Sequence, residues 1–189
     1  MSILVGRQAP DFHVSAVLGN GSIVDNFTFS EAIRGKYALL FFYPLDFTFV
    51  CPSELIALNN RMDEFKKRNI EVVGISIDSH YTHHAWRNTP VKEGGIGSLK
   101  FTLASDLTHR VTEAYGVEHP EAGIAFRGTF LIDKKGIVRS QIVNDLPIGR
   151  NIEEIIRLFD AIDFFEEHGE VCPANWHKGD EGMKATPEG

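Results

Sequence analysis

The residues with the clearest capacity for chemistry are Pro44, Thr48 and Cys51, which lie within Phe41–Leu58, FFYPLDFTFVCPSELIAL. A run of strand-forming residues breaks at Pro44, and a helix is expected to begin near Cys51. Pro52 has no amide proton and suits the first helical position, which puts Cys51 at or beside the N-cap. The unpaired amides of a first turn carry partial positive charge, and that charge favours the thiolate, the nucleophilic form of cysteine. Thr48 can set a hydroxyl beside the same sulfur, while Pro44 fixes a backbone angle and removes a competing donor. A second account fits the same residues: Cys51 as a core cysteine and Pro44 as a strand terminator. Spacing alone leaves both standing.

The longer run Phe42-Tyr43-Pro44-Leu45-Asp46-Phe47-Thr48-Phe49-Val50-Cys51-Pro52 resembles the active-site signature of the peroxiredoxins, Pro-x-x-x-Thr-x-x-Cys. A second block, Gly169-Glu170-Val171-Cys172-Pro173-Ala174-Asn175-Trp176, resembles the resolving-cysteine segment of the typical two-cysteine subgroup, which includes the alkyl hydroperoxide reductase C component. The likeness extends over nearly the whole chain. It implies an α/β thioredoxin-like fold, a central mixed sheet flanked by helices, with an N-terminal hairpin and a C-terminal extension. Residues 1–168 would form the peroxidase domain and 169–189 its resolving-cysteine segment.

The resemblance also gives roles to residues outside the central stretch. Arg127 stands in an otherwise apolar strand context, Ala125 to Phe130, where a charge is costly unless it meets an anion. The family pattern puts it beside the peroxidatic thiolate, where a permanent, forked cation would bind peroxide oxygens. Glu54, three residues after Cys51, has the spacing of a first-turn capping carboxylate. In the family an equivalent glutamate orients arginines, and Arg150 matches the second of these. The cluster His80-Tyr81-Thr82-His83-His84 brings His80 and His84 to one helix face, as a zinc or nickel site requires. No carboxylate or cysteine nearby completes such a site, and an exposed first helical turn accounts for the cluster. Trp86 and Trp176 are expected to anchor packing.

The elements that must position these groups follow from periodicity. Phe12–Val17 alternates loosely before Gly19-Asn20-Gly21, which suggests a hairpin. Tyr37–Tyr43 is a continuous apolar run, as in a strand covered on both faces. Leu55, Leu58, Met62 and Phe65 recur at helical spacing after Cys51, and Ile70–Ile77 supplies another strand. The order strand, helix, strand points to parallel pairing through a crossover. Further on, a helix is expected near His109–Tyr115 and strands at Thr129–Asp133 and Ile137–Val143, about a Lys134-Lys135-Gly136 turn. A long helix from about Asn151 to His168 carries Ile152, Ile155, Phe159 and Ile162 inward. The closing segment, rich in Gly, Lys, Glu and Pro, reads as a tail that a partner surface would order.

A chain of 189 residues with ordinary apolar content makes one domain, and its formal charge of -7 offers no basic face for a phosphate backbone. No apolar run approaches a membrane span, and the first residues lack a secretory pattern. A cytoplasmic location is expected. There, a disulfide between the two cysteines would be catalytic rather than structural.

The function implied is a peroxidase without metal or organic cofactor, acting on hydrogen peroxide and small organic hydroperoxides. Cys51 would become a sulfenic acid, and Cys172 of a second subunit would condense with it. Thioredoxin or a dedicated flavoprotein disulfide reductase would reduce the resulting disulfide. An antiparallel homodimer, assembling further to a decamer, would be the working unit. Two alternatives are an oxidation-responsive holdase and a thioredoxin-like disulfide reductase, the latter disfavoured because Ser53 and Glu54 follow Pro52 where a second cysteine is needed. Gly94-Gly95-Ile96-Gly97 resembles the glycine loop of peroxide-sensitive relatives, yet no Tyr or Phe follows Cys172 to build their covering C-terminal helix.

Overall fold

The computed structural model of the protein describes residues 3–186. Its chain contacts separate into two compact units, Met1–Arg150 and Asn151–Gly189.

The first unit is built on a seven-stranded mixed sheet. Its strands are β1 (His13–Val17), β2 (Ile23–Thr28), β3 (Tyr37–Phe42), β4 (Ile70–Ser76), β5 (Thr102–Ser105), β6 (Arg127–Ile132) and β7 (Val138–Asn144), in the spatial order β2-β1-β5-β4-β3-β6-β7. The expected hairpin is β1–β2, antiparallel from His13 opposite Thr28 to Val17 opposite Ile23. All six residues of β3 are buried, as a continuous apolar run requires. That strand pairs in parallel with β4 and antiparallel with β6. Strand β5 was not anticipated; four residues are too few to show a period, and it is held by parallel pairing with β4.

Helices α1 (Phe29–Ala32), α2 (Val50–Asn60), α3 (Met62–Lys67), α4 (His80–Asn88) and α5 (Arg110–Ala114) complete this unit. The helix expected after Cys51 is two, parted at Arg61, yet Leu55, Leu58, Met62 and Phe65 are all buried. Aromatic rings fill the core: Phe42, Tyr115 and Phe130 meet pairwise at 5.3, 5.8 and 4.9 Å between centroids. Such offset and edge contacts add to the stabilisation from apolar burial.

The second unit is α6 (Ile152–His168) and the segment that follows it. Asn151 caps the helix by accepting from the Glu154 amide, and Gly169 ends it with a φ of 67°. Of the residues expected to face inward, Ile155 and Phe159 are buried; Ile152 and Ile162 are half-buried. The closing segment is tied within its own unit. Arg157 donates to the Trp176 carbonyl at 2.8 Å, the Trp176 ring meets Phe164 at 5.0 Å, and Val171 bridges Met183. Among the described residues no helix follows α6, and none of the helices is long and apolar enough to cross a membrane.

Candidate active site

The site is assembled where β3 ends. Residues 43–49 leave the sheet there and lead into α2, so Cys51 lies in the first turn of that helix with only 1% of its surface exposed. The helix starts two residues earlier than expected from Pro52: Phe49 is the N-cap, Cys51 the second helical residue and Pro52 the third. The amide that Pro52 lacks is still one of the four with no intrahelical acceptor, so the proline costs the helix nothing there.

Strand β6 delivers Arg127 to the same place. Phe41 stands opposite Thr129, and two residues back along the antiparallel β6 bring Arg127 level with the point where β3 gives way to the turn. Its Nη1 donates to Cys51 Sγ at 3.3 Å and to Glu54 Oε2 at 2.7 Å, while Nε donates to the Leu146 carbonyl at 2.7 Å. At 4% exposure it is not a surface strand residue.

Glu54 does not cap the helix. α2 has no side-chain cap; one helical turn beyond Cys51, the carboxylate reaches outward to two arginines instead. Oε2 accepts from Arg127 and from Arg150 Nη1 at 2.9 Å, and Oε1 accepts from the Arg150 backbone amide at 2.9 Å. Arg150 is itself held by Thr129 Oγ1 at 2.9 Å and by the Phe42 and Gly128 carbonyls, with its guanidinium over the Phe41 ring. Burial lowers the Arg150 pKa to about 10, Glu54 opposing and Arg127 adding to the shift. Arg150 therefore remains a cation at neutral pH. Two guanidinium groups and one carboxylate are thus buried together beside the Cys51 sulfur.

Pro44 is buried in the turn and Thr48 half-buried. The Thr48 hydroxyl donates to the Leu45 carbonyl at 2.9 Å. With its proton so committed, it offers lone pairs and can accept from an O–H group. Cys172 lies in the other unit, half-buried, its Sγ donating to the Ala161 carbonyl at 3.6 Å. Burial pushes its thiol up, with the Arg157 charge opposing.

One part of the turn's support was not foreseen from the sequence. His83, fully buried on α4, has Nδ1 2.7 Å from Asp46 Oδ2 and Nε2 3.0 Å from the Ala104 carbonyl. Tyr43 donates to Asp46 Oδ1 at 2.8 Å, and the Asp46 amide donates to Asp78 Oδ2 at 2.9 Å. Burial, opposed by His83, raises the Asp46 carboxyl above its usual range. Asp46 stands in the motif-bearing stretch, but nothing local indicates a partner 37 residues away. The histidine cluster is not the exposed first turn expected of it, since His83 is core; no group of three or more His, Cys, Asp or Glu side chains placed to hold a metal ion occurs among the described residues. A cavity of about 590 Å³, lined by Phe12, His80, Arg110 and Tyr115, includes none of the residues around Cys51.

Residues 5–141 match the model of the AhpC/TSA family, and residues 161–189 match that of the C-terminal domain of 1-Cys peroxiredoxin. Alkyl hydroperoxide reductase C of Buchnera aphidicola subsp. Baizongia pistaciae is 55% identical over 187 residues, covering 99% of this chain and 94% of that protein. Peroxiredoxin-1 of Gallus gallus is 51% identical over 180 residues, 95% of this chain and 89% of that protein. Among solved structures, the reduced 2-Cys peroxiredoxin of Plasmodium vivax superposes with a TM-score of 0.95 at 48% identity, covering 99% of this chain and 96% of that one.

Proposed function

The chain belongs to the AhpC/TSA family of peroxiredoxins, which are thiol peroxidases, and from that premise we propose that Cys51 is the thiol that attacks the peroxide. The observation that carries this reading is the buried Arg127 guanidinium, which donates to the Cys51 sulfur while Glu54 holds it in place.

The Cys51 thiolate attacks the O–H oxygen of a hydroperoxide, forming the S–O bond as the O–O bond breaks. Hydroxide leaves from hydrogen peroxide and alkoxide from an organic hydroperoxide, each taking a proton to become water or alcohol. Arg127 stabilises the negative charge that develops across the breaking bond. Thr48 accepts from the substrate O–H, which orients the oxygen to be attacked. Pro44 presents no competing amide donor in the pocket. Glu54 and Arg150 fix the position of Arg127.

Cys51 leaves this step as a sulfenic acid. The Cys172 thiolate of a second subunit attacks that sulfur, forming the S–S bond as the S–O bond breaks, and the hydroxide expelled takes a proton to become water. An external dithiol, from thioredoxin or a flavoprotein disulfide reductase, then restores both thiols. The reading assigns 169–189 as the resolving segment, a homodimer as the minimal unit and a decamer as the further assembly. We assign the cycle to the cytoplasm, where reducing equivalents are continuously supplied. No metal or organic cofactor enters any step.

Steady-state peroxide consumption by two variants tests the assignment. Cys51→Ser is expected to abolish turnover, and Cys172→Ser to retain one rapid oxidation per site while losing turnover with a dithiol-protein reductant. Normal turnover of Cys172→Ser with thioredoxin would remove Cys172 from the cycle.

A further inference from the structure

Among the described residues, four other than glycine have a positive φ: Phe47 at 53°, Asn69 at 55°, His109 at 62° and Asn175 at 63°. Asparagine and histidine are the types that tolerate the left-handed region; phenylalanine is not. Among the described residues, the one strained residue of an intolerant type therefore stands in the turn that leads into the Cys51 helix.

Such a conformation persists only where the surroundings over-determine it. Here they do. Asp46, the preceding residue, is fixed by Tyr43, His83 and Asp78, and Thr48, the following one, is closed back onto the Leu45 carbonyl. The Phe47 ring, 48% exposed, meets the buried Trp86 indole at 5.8 Å. Trp86 is a rigid platform: Nε1 donates to the Gly94 carbonyl at 3.0 Å, and its own carbonyl accepts from the Ile96 amide at 3.3 Å. A Cβ on Gly95 would collide with the Thr89 carbonyl, so this loop admits no other residue there.

We propose that Phe47 is a positioning residue whose strained backbone biases the Cys51 turn towards opening, while its ring contact with Trp86 holds the turn closed. This inference rests on the reading that Cys51 must leave its pocket to meet Cys172. With 1% of its surface exposed, the sulfur can meet neither the Cys172 thiol nor a bulky reagent until the turn opens, whereas the reaction with peroxide takes place in the closed pocket. Opening lets residue 47 return to an ordinary backbone region and releases the strain. The glycine loop acts on the active-site turn through Trp86 and Phe47.

Replacements at position 47 separate the two effects. Phe47→Ala removes the ring contact and keeps the strain. Phe47→Gly removes both, and Phe47→Asn replaces the ring with a residue that tolerates the left-handed region. The probe is alkylation of reduced Cys51 by a bulky maleimide in a Cys172→Ser background, which reports the opening equilibrium without peroxide or resolution. Phe47→Ala is expected to react faster than the parent. Phe47→Gly and Phe47→Asn should react more slowly than Phe47→Ala, by about five- to thirtyfold for glycine. With Cys172 present and the same excess peroxide, Phe47→Gly should yield more Cys51 sulfinic acid than Phe47→Ala, because its turn stays closed longer. A general loss of stability does not produce that reversal. Equal alkylation of the alanine and glycine variants, or faster reaction of glycine, overturns the inference; should glycine fold poorly, asparagine reacting at the alanine rate does the same. Because alkylation requires neither peroxide nor Cys172, these outcomes stay distinct from a failure of the Cys51–Cys172 cycle itself.

Discussion

Arg127 and Glu54 form a buried ion pair at 2.7 Å through the same guanidinium nitrogen that reaches the Cys51 sulfur. Moving the carboxylate therefore moves the donor. In the proposed cycle the arginine supplies charge and direction, and the glutamate direction alone.

Replacing Arg127 should act on the oxidation step. Arg127→Ala is expected to slow the reaction of Cys51 with hydrogen peroxide by about 10²- to 10³-fold, the usual loss when one preorganised donor is removed from a developing charge. Arg127→Lys should fall between, because an ammonium keeps the charge but cannot engage Leu146, Glu54 and the sulfur as a fork. Stopped-flow measurement of single-turnover oxidation checks both, and an alanine variant reacting at the parent rate would place Arg127 outside the chemistry.

Glu54→Gln should destabilise the fold as well as slow the reaction. Two buried guanidinium groups would then face each other across a neutral amide, and breaking one side of a buried pair costs about 3–5 kcal/mol. Denaturant unfolding of Glu54→Gln against the parent measures this. A change under about 1 kcal/mol would mean that water enters the cluster and screens it.

In the proposed cycle the half-buried Cys172 thiol should give the resolving step a pH dependence. Burial raises its pKa, so the group is protonated at neutral pH and its thiolate fraction grows as pH rises towards that value. Disulfide formation after a single oxidation should accelerate with pH by roughly tenfold per unit in that range, following the thiolate fraction. Quenched-flow sampling on non-reducing gels follows it. A flat profile between pH 6 and about 8 would show that opening of the Cys51 turn, rather than attack by Cys172, limits resolution.

Much of this was readable in the linear chain, for physical reasons that differ from place to place. The buried run of β3, the proline break and the cysteine at a helix start are local signals, and the motif carrying them is dense. Of the two readings open for Glu54, the cap does not form and the contact with arginines does; spacing from Cys51 alone cannot tell whether a carboxylate folds back on its helix or reaches two arginines beyond it. Asp46 and His83 were invisible as a pair because only the parallel packing of β3 and β4, with α4 following, brings them together. The left-handed backbone at Phe47 was equally hidden, being imposed by neighbours rather than preferred by the residue.

Resistance to overoxidation is expected in spite of the glycine loop. In the described residues after α6 no helix is present to cover the turn, and Val171–Met183 is closed by a single bridge. The Cys51 turn should open readily, and disulfide formation should outrun a second oxidation. Turnover under rising peroxide with saturating reductant tests this by mass spectrometry; Cys51 sulfinic acid accumulating at low micromolar peroxide contradicts it.

The central claim, that Cys51 attacks and Cys172 of a second subunit resolves, is tested most directly by one single-turnover experiment. The reduced protein is mixed with one equivalent of hydrogen peroxide per chain in a stopped-flow instrument, quenched with an alkylating agent and digested without reduction. The account predicts rapid oxidation and a cross-linked peptide pair joining Cys51 to Cys172, carried by a species of twice the chain mass. A crosslink confined to one chain, or oxygen added to Cys172 while Cys51 remains alkylated, would contradict it.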